Sequence, residues 1–270
     1  MRIVALLAVR NEELYIEKCI KHLIDQGIDI CLIDNGSTDK TLEYAKQFLN
    51  KGLFRIETLP FKGYSDLFER LKFKEKLCLE IDSDWFIHHD ADEIREAPPP
   101  YKTLFEGIMD VDKKGYNVIN FDEFVFIPTE TDVSFENTDY VNEMKHYYYF
   151  SRGPLRRMNA WKNTLSPVDI SQSGGHKILF DKMRIFPHNF ILRHYIFLSY
   201  SHEIRKYNNK KYLKKAVEEF GWHEERAFFK PGDFTLPTAA QMKTLSKDRD
   251  FDRSDPIIRH PFFRSNIWLR

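Results

Sequence analysis

Across 270 residues the chain is 42% hydrophobic and 30% charged, the balance of a globular protein able to bury a sizeable core in one large domain or one domain with an elaborated second lobe. Forty-one basic residues meet 41 acidic ones, and a net charge of zero excludes the basic excess expected of a general nucleic-acid binder. Three scattered cysteines, Cys19, Cys31 and Cys78, form no CxxC pair, so neither a disulfide framework nor a zinc site is expected and a reducing cytosol is the simplest home.

The first run, IVALLAV (3–9), is short, apolar and β-rich. It reads as a buried strand, too short to cross a membrane and followed at once by RNEE. A helical pattern runs from Glu12 to Gln26, where Gly27 stops it. DICLID (29–34) is a second buried strand; the turn NGSTD follows, with Thr38 or Asp39 placed to cap a helix reaching about Leu49. A weaker strand (54–60), a helix (65–80) and the strand DWFIHHD (84–90) complete a β-α-β alternation. This order predicts an α/β, mostly parallel open sheet with helices on both faces, whose ligands bind outside the carboxyl ends of the strands. Three polar segments fall there: RNE (10–12), DNGSTD (34–39) and DADE (90–93).

Beyond PPP (98–100) a helix is expected over 101–113 and a strand over 116–130, with an irregular stretch over 135–175. HKILFD and FILRHYIFLS (190–199) read as later strands, and 210–230 as a helix with a basic front half. The expected division is 1–125 for the half that carries these three loops, 126–205 for the other half of the same domain, and 206–270 for a helical and irregular extension.

VRNEELYIEKCI, CLIDNGSTDKTLEYA and DWFIHHDADEI, in that order, resemble the nucleotide-sugar half of the family 2 glycosyltransferases, which have the GT-A fold. Downstream, SGGHKILF (173–180) and LRHYIFLSY (192–200) resemble a bacterial subgroup of that family. The resemblance implies a metal-dependent, inverting transferase. It would move a sugar from a nucleotide-diphosphate sugar to a glycan or lipid-linked acceptor in bacterial surface polysaccharide synthesis. Asp92 would be a ligand to Mn²⁺ or Mg²⁺, Asp90 (with Ala91 between them) the ribose or outer-sphere partner, and His194 a further metal or diphosphate ligand. Asp34, with Asn35 and Gly36, would face the nucleobase, while Arg10, Asn11 and Glu12 line the first loop. Oxygen ligands suit such ions, and a divalent cation neutralises a departing diphosphate.

Each assignment has a plainer competitor. DADE can be an exposed turn capping a helix, Asp34 an Asx-turn, Asn11 a helix cap, and His194 a satisfied core histidine. His88 and His89 point to opposite faces of a strand, so at most one reaches a site. His176 either bonds substrate or packs a loop, and Arg205, Lys206, Lys210 and Lys211 either cover a diphosphate or form a solvated face. The catalytic base is expected at Asp122 or Glu123, where charge interrupts an apolar strand, with Glu203 and Asp132 as outside candidates; both strand acids can equally be edge charges. KYNNKKYLKK and the tail HPFFRSNIWLR can touch the cytoplasmic membrane face peripherally, or pack, or make dimer contacts. A nucleotidyltransferase lacks its glycine-rich cradle in RNEELY, and a non-catalytic sugar-nucleotide binder would not need the acidic cluster.

Overall fold

The computed structural model describes residues 1–208, 211–212 and 234–262. The expected helix at 210–230, Lys210 and most of the tail lie outside the described residues. Among the described residues, no helix is long and apolar enough to cross a membrane.

Four apolar runs become four parallel strands. β1 (Ile3–Val9) pairs with β2 (Asp29–Asp34) on one side and β4 (Trp85–His89) on the other, and β3 (Leu53–Thr58) pairs with β2. The helices between them are α1 (Ile16–Asp25), α2 (Thr41–Lys46) and α3 (Leu67–Glu80). The strand face carrying Val4, Leu6, Cys31, Ile33 and Phe86 packs on Leu71, Leu77 and Cys78 of α3. The opposite face is covered from the other side: Trp85 donates a hydrogen bond to Asp112 of α4 (Leu104–Lys113), and Phe105 of α4 abuts Gly27 at the end of α1. The α/β sheet with helices on both faces is thus as expected. Burial on both faces is what continuous apolar strands require.

The chain divides into two compact units. One holds 1–61, 67–122 and 153–192; the other holds 62–66, 123–152 and 193–270. Two strands, β6 (Val118–Phe126) and β9 (Phe190–Tyr195), begin in the first unit and end in the second.

In the first unit the sheet continues past β4 with β8 (Met158–Lys162) and the start of β6, both added antiparallel. A short strand, β5 (Glu93–Glu96), follows the acidic turn where the sequence suggested a cap. In the second unit the end of β6 pairs with β7 (His146–Phe150), which pairs with β10 (Lys243–Thr244). That unit also carries α5 (Tyr140–Glu143) and α6 (Tyr200–Asn208). Its core is aromatic: the His260 ring stacks on Phe150 at 4.3 Å and on Phe262 at 5.0 Å.

Two expectations change here. The stretch 135–175 is not irregular throughout, since it contains α5, β7 and β8. HKILFD is not a strand: Lys177 and Leu179 make only isolated bridges, to Met158 and Asp169, because the preceding glycines turn the chain too tightly for a continuous ladder. The three cysteines are buried and free, and burial pushes the Cys31 thiol up to about 12.

Candidate active site

The loops after β1 and β2 are one hydrogen-bonded assembly. The Asn11 carboxamide accepts from Thr38 N–H at 2.8 Å and donates to the Thr38 hydroxyl, and the amides of Glu12 and Glu13 donate to Thr41 Oγ1 and Asp39. Asn11 sits at φ +55°, a left-handed conformation asparagine tolerates, so it turns the loop rather than capping α1. Arg10 donates to the carbonyls of Asn35 and Gly36 and lies 3.3 Å over the Phe61 ring. Its guanidinium is therefore a brace between the two loops. Burial lowers its pKa from the ordinary arginine value against the opposing charges of Asp34 and Asp39.

Asp34 is 3% exposed and forms the Asx-turn: its carboxylate accepts from Gly36 N–H at 3.1 Å and from Ser37 N–H at 3.1 Å. A carboxylate has about four acceptor positions, so these bonds orient it without exhausting it. Asn35 is buried and donates to Leu59 O at 2.9 Å. Asn35 and Gly36 thus shape the turn, where Gly36 at φ +70° leaves room for Phe61.

The third segment leaves β4. Its flanks, His89, Ala91 and Glu93, are buried, while Asp90 and Asp92 are half-buried. Burial would raise the Asp90 carboxyl, but neighbouring His88 and Lys74, with Arg70 behind them, hold it below the usual carboxylate range. The field of the turn is felt at Cys19 on α1, whose thiol is pushed well up by burial first and then by Glu93, Asp92 and Asp90. Glu93 is engaged by its neighbours. Its carboxylate receives Arg95 Nη2 at 2.5 Å and the Asp90 amide at 3.3 Å.

His88 and His89 do part to opposite faces. His88 Nδ1 accepts from Lys74 Nζ at 3.0 Å, and His89 Nδ1 accepts from Arg95 Nε at 3.2 Å. Burial keeps both rings well below the ordinary histidine pKa. Lys74 is fully buried, and burial brings it down to about 8. The sequence reading missed Lys74, Arg95 and Asn159 altogether. A trace of the first was there: Lys74 occupies the apolar stripe Leu71, Leu77, Cys78 of α3.

The remaining candidates separate. Asp122 ends the first unit's part of β6, 7% exposed, and accepts from Asn189 at 2.8 Å. Glu123 begins the second unit's part, 3% exposed, and accepts from His194 Nδ1 at 2.7 Å. His194 is thus joined to one of the expected bases. His176 accepts from Arg157 at 3.0 Å. Arg205 pairs with Glu136, Lys206 donates to Ile196 O, and Asp132 accepts from Thr129; Glu203 is fully buried. Among the described residues no three His, Cys, Asp or Glu side chains gather closely enough to hold a metal by themselves.

Fold and loops define an open-sheet α/β protein with an acidic, hydrogen-bonded rim at the carboxyl ends of three parallel strands. Comparison with known families finds a likeness in the first part of the chain: residues 5–69 match the family model "Glycosyl transferase family 2". Over 83 residues the chain is 31% identical to the lipopolysaccharide core biosynthesis glycosyltransferase LpsC of Rhizobium meliloti (strain 1021), an alignment covering 30% of each chain. The chain therefore matches about a third of that relative's length. Among solved structures, S. aureus TarS has a TM-score of 0.46 at 12% identity, over 73% of this chain and 37% of that one. Mycobacterium tuberculosis glucosyl-3-phosphoglycerate synthase, crystallised with Mn²⁺, UDP and phosphoglyceric acid, has a TM-score of 0.31 at 21% identity, over 46% and 43%.

Proposed function

We propose that the chain is a metal-dependent, inverting glycosyltransferase that moves a sugar from a nucleotide-diphosphate sugar to a hydroxyl of a glycan or lipid-linked acceptor, in surface polysaccharide synthesis at the cytoplasmic side. One observation carries the reading: β2, β1 and β4 are adjacent and parallel, so the loops 34–39, 10–12 and 90–93 leave the same edge of the sheet, within and beside the segment that matches the family.

On this reading Asp34, aimed by its own turn amides, accepts from a nucleobase N–H, and Asp90 takes a ribose hydroxyl or a metal-bound water. The two carboxylates of the DAD turn are hard oxygen donors, half-exposed and held ionised at Asp90, a set that fits Mn²⁺ or Mg²⁺ when the diphosphate and water complete the shell. Asp92 would hold that ion, which when bound would neutralise charge on the leaving diphosphate. An acid of NFDEF takes the proton of the acceptor hydroxyl.

A thermal-shift screen of nucleotides and nucleotide sugars, with and without Mn²⁺, tests the reading and identifies the base. Wild-type protein should be stabilised by one nucleotide family in a Mn²⁺-dependent way, and Asp92→Ala should lose that dependence and sugar transfer while staying folded. Undiminished transfer by wild type in excess chelator would overturn metal dependence. Release of pyrophosphate from a nucleoside triphosphate and a sugar phosphate would replace transfer with nucleotidyl chemistry.

A further inference from the structure

The acidic turn rests on a polar network that the proposed chemistry does not use directly. Arg95 on β5 is 0% exposed, and its guanidinium lies 4.6 Å over the Phe121 ring. Its Nη2 donates to Glu93 Oε2 at 2.5 Å and to Asn159 Oδ1 at 3.2 Å, and its Nε donates to His89 Nδ1 at 3.2 Å. Glu93 Oε2 also receives the Asp90 amide at 3.3 Å, while the Glu93 amide donates back to Asp90 O at 3.2 Å. Asn159 on β8 passes the connection on, donating from Nδ2 to Gly175 O at 2.8 Å. Glu93 and Asn159 are each 1% exposed. The network therefore holds the DAD turn from both ends, through the residue before Asp90 and the residue after Asp92.

Stability does not account for this arrangement. A buried ion pair is often replaced by apolar side chains at no cost, because desolvation offsets the attraction. This network also leaves two buried donors, Arg95 Nη1 and His89 Nε2, without a partner among the described residues. An unmet buried donor is a penalty on folding. What the network does supply is a fixed direction for the turn, the contribution that outer partners make to metal-binding groups.

We infer that Arg95, acting through Glu93 and Asn159, is a positioning residue that sets Asp90 and Asp92 for the metal and diphosphate of the donor. The inference rests on the proposed function.

The test is a charge-neutral replacement, the double variant Arg95→Met with Glu93→Met, which keeps volume and net charge while removing the bracket. Binding of UDP, GDP and TDP is measured by calorimetry with and without Mn²⁺ on the full chain, beside thermal unfolding. The double variant is expected to fold and to keep Mn²⁺-independent nucleotide binding, while Mn²⁺-dependent affinity falls about tenfold or more. A role confined to packing would move the melting temperature and leave this split untouched. Asn159→Leu, which removes the bonds to Arg95 and to Gly175 O but leaves the Arg95–Glu93 pair, is a second probe that does not depend on the double variant folding. It should lose Mn²⁺-dependent affinity in the same direction by a smaller factor. Mn²⁺-dependent affinity within twofold of wild type in either folded variant overturns the inference. Wild type that binds none of the three nucleotides in a Mn²⁺-dependent way overturns the functional reading itself, and the inference with it.

Discussion

Glu123 accepts a 2.7 Å hydrogen bond from Nδ1 of His194, so an imidazole and an acid that the sequence put to different uses are one pair. Asp122, the neighbouring acid on β6, is held instead by the neutral amide of Asn189. Adjacent strand residues point to opposite faces, and one of the two belongs with each compact unit. Asp122 lies in the unit that carries the strand-end loops, so under the proposed function it is the expected proton acceptor. Asp122→Asn should lower transfer by about 10²–10⁴-fold with donor affinity little changed. Glu123→Gln should instead cost about 1–3 kcal/mol of stability, by weakening a buried bond to a charged group. Steady-state transfer and urea unfolding of both variants decide it, and full activity in Asp122→Asn returns the base to Glu123.

The parts of the fold that were legible are those where one apolar run makes one buried strand. IVALLAV, DICLID and the run ending in HH announced β1, β2 and β4 to within a residue or two, and the acids after them marked the sheet edge. HYYYF and MNAWK announced nothing, because aromatic and polar residues that pack on both sides leave no period of two to read. Helix α1 begins at Ile16 rather than Glu12, since residues 11–13 are spent binding the neighbouring loop. The network under the turn was invisible for another reason. Arg95 meets Asn159 across 64 residues, and no local pattern encodes a contact at that distance. DADE looked like three equivalent acids, and only the position of Arg95 separates Glu93 from the other two.

Lys74 offers a pH test of that buried layer. Its ammonium donates to His88 Nδ1 and to His89 O at 3.1 Å, and burial brings its pKa to about 8 against the attraction of Asp90. An unfolded lysine titrates near 10.4, so between pH about 8 and 10.4 the unfolded chain binds the extra proton. Stability from this group therefore rises with pH across that window, and below pH about 8 the full cost of burying the charge is present. Lys74→Met removes the dependence. The unfolding free energy of wild type minus that of the variant should climb by about 3 kcal/mol from pH 7.5 to 10.5 in urea titrations. A flat or falling difference would mean that Lys74 is not buried as a charged group.

Gly175 shows why the chain needs two glycines before His176. The loop that holds it is anchored on α3, where Glu75 accepts from the amides of Ile170 and Ser171, each at 2.9 Å. Gly175 then lies at φ +86° against the His88 ring. A Cβ there would stand 3.0 Å from His88 Nε2 and 3.3 Å from Leu71 Cδ2, and His88 has little freedom to retreat because Lys74 holds its other nitrogen. Gly175→Ala should lose about 2–4 kcal/mol, part from left-handed backbone and part from overpacking. His88→Ala in the same chain should recover the second part alone, giving a favourable coupling of about 1 kcal/mol in a double-mutant cycle. Urea unfolding of the two single variants and the double variant measures it. Strict additivity would show that the ring is not what the glycine accommodates, and that its conformation alone demands it.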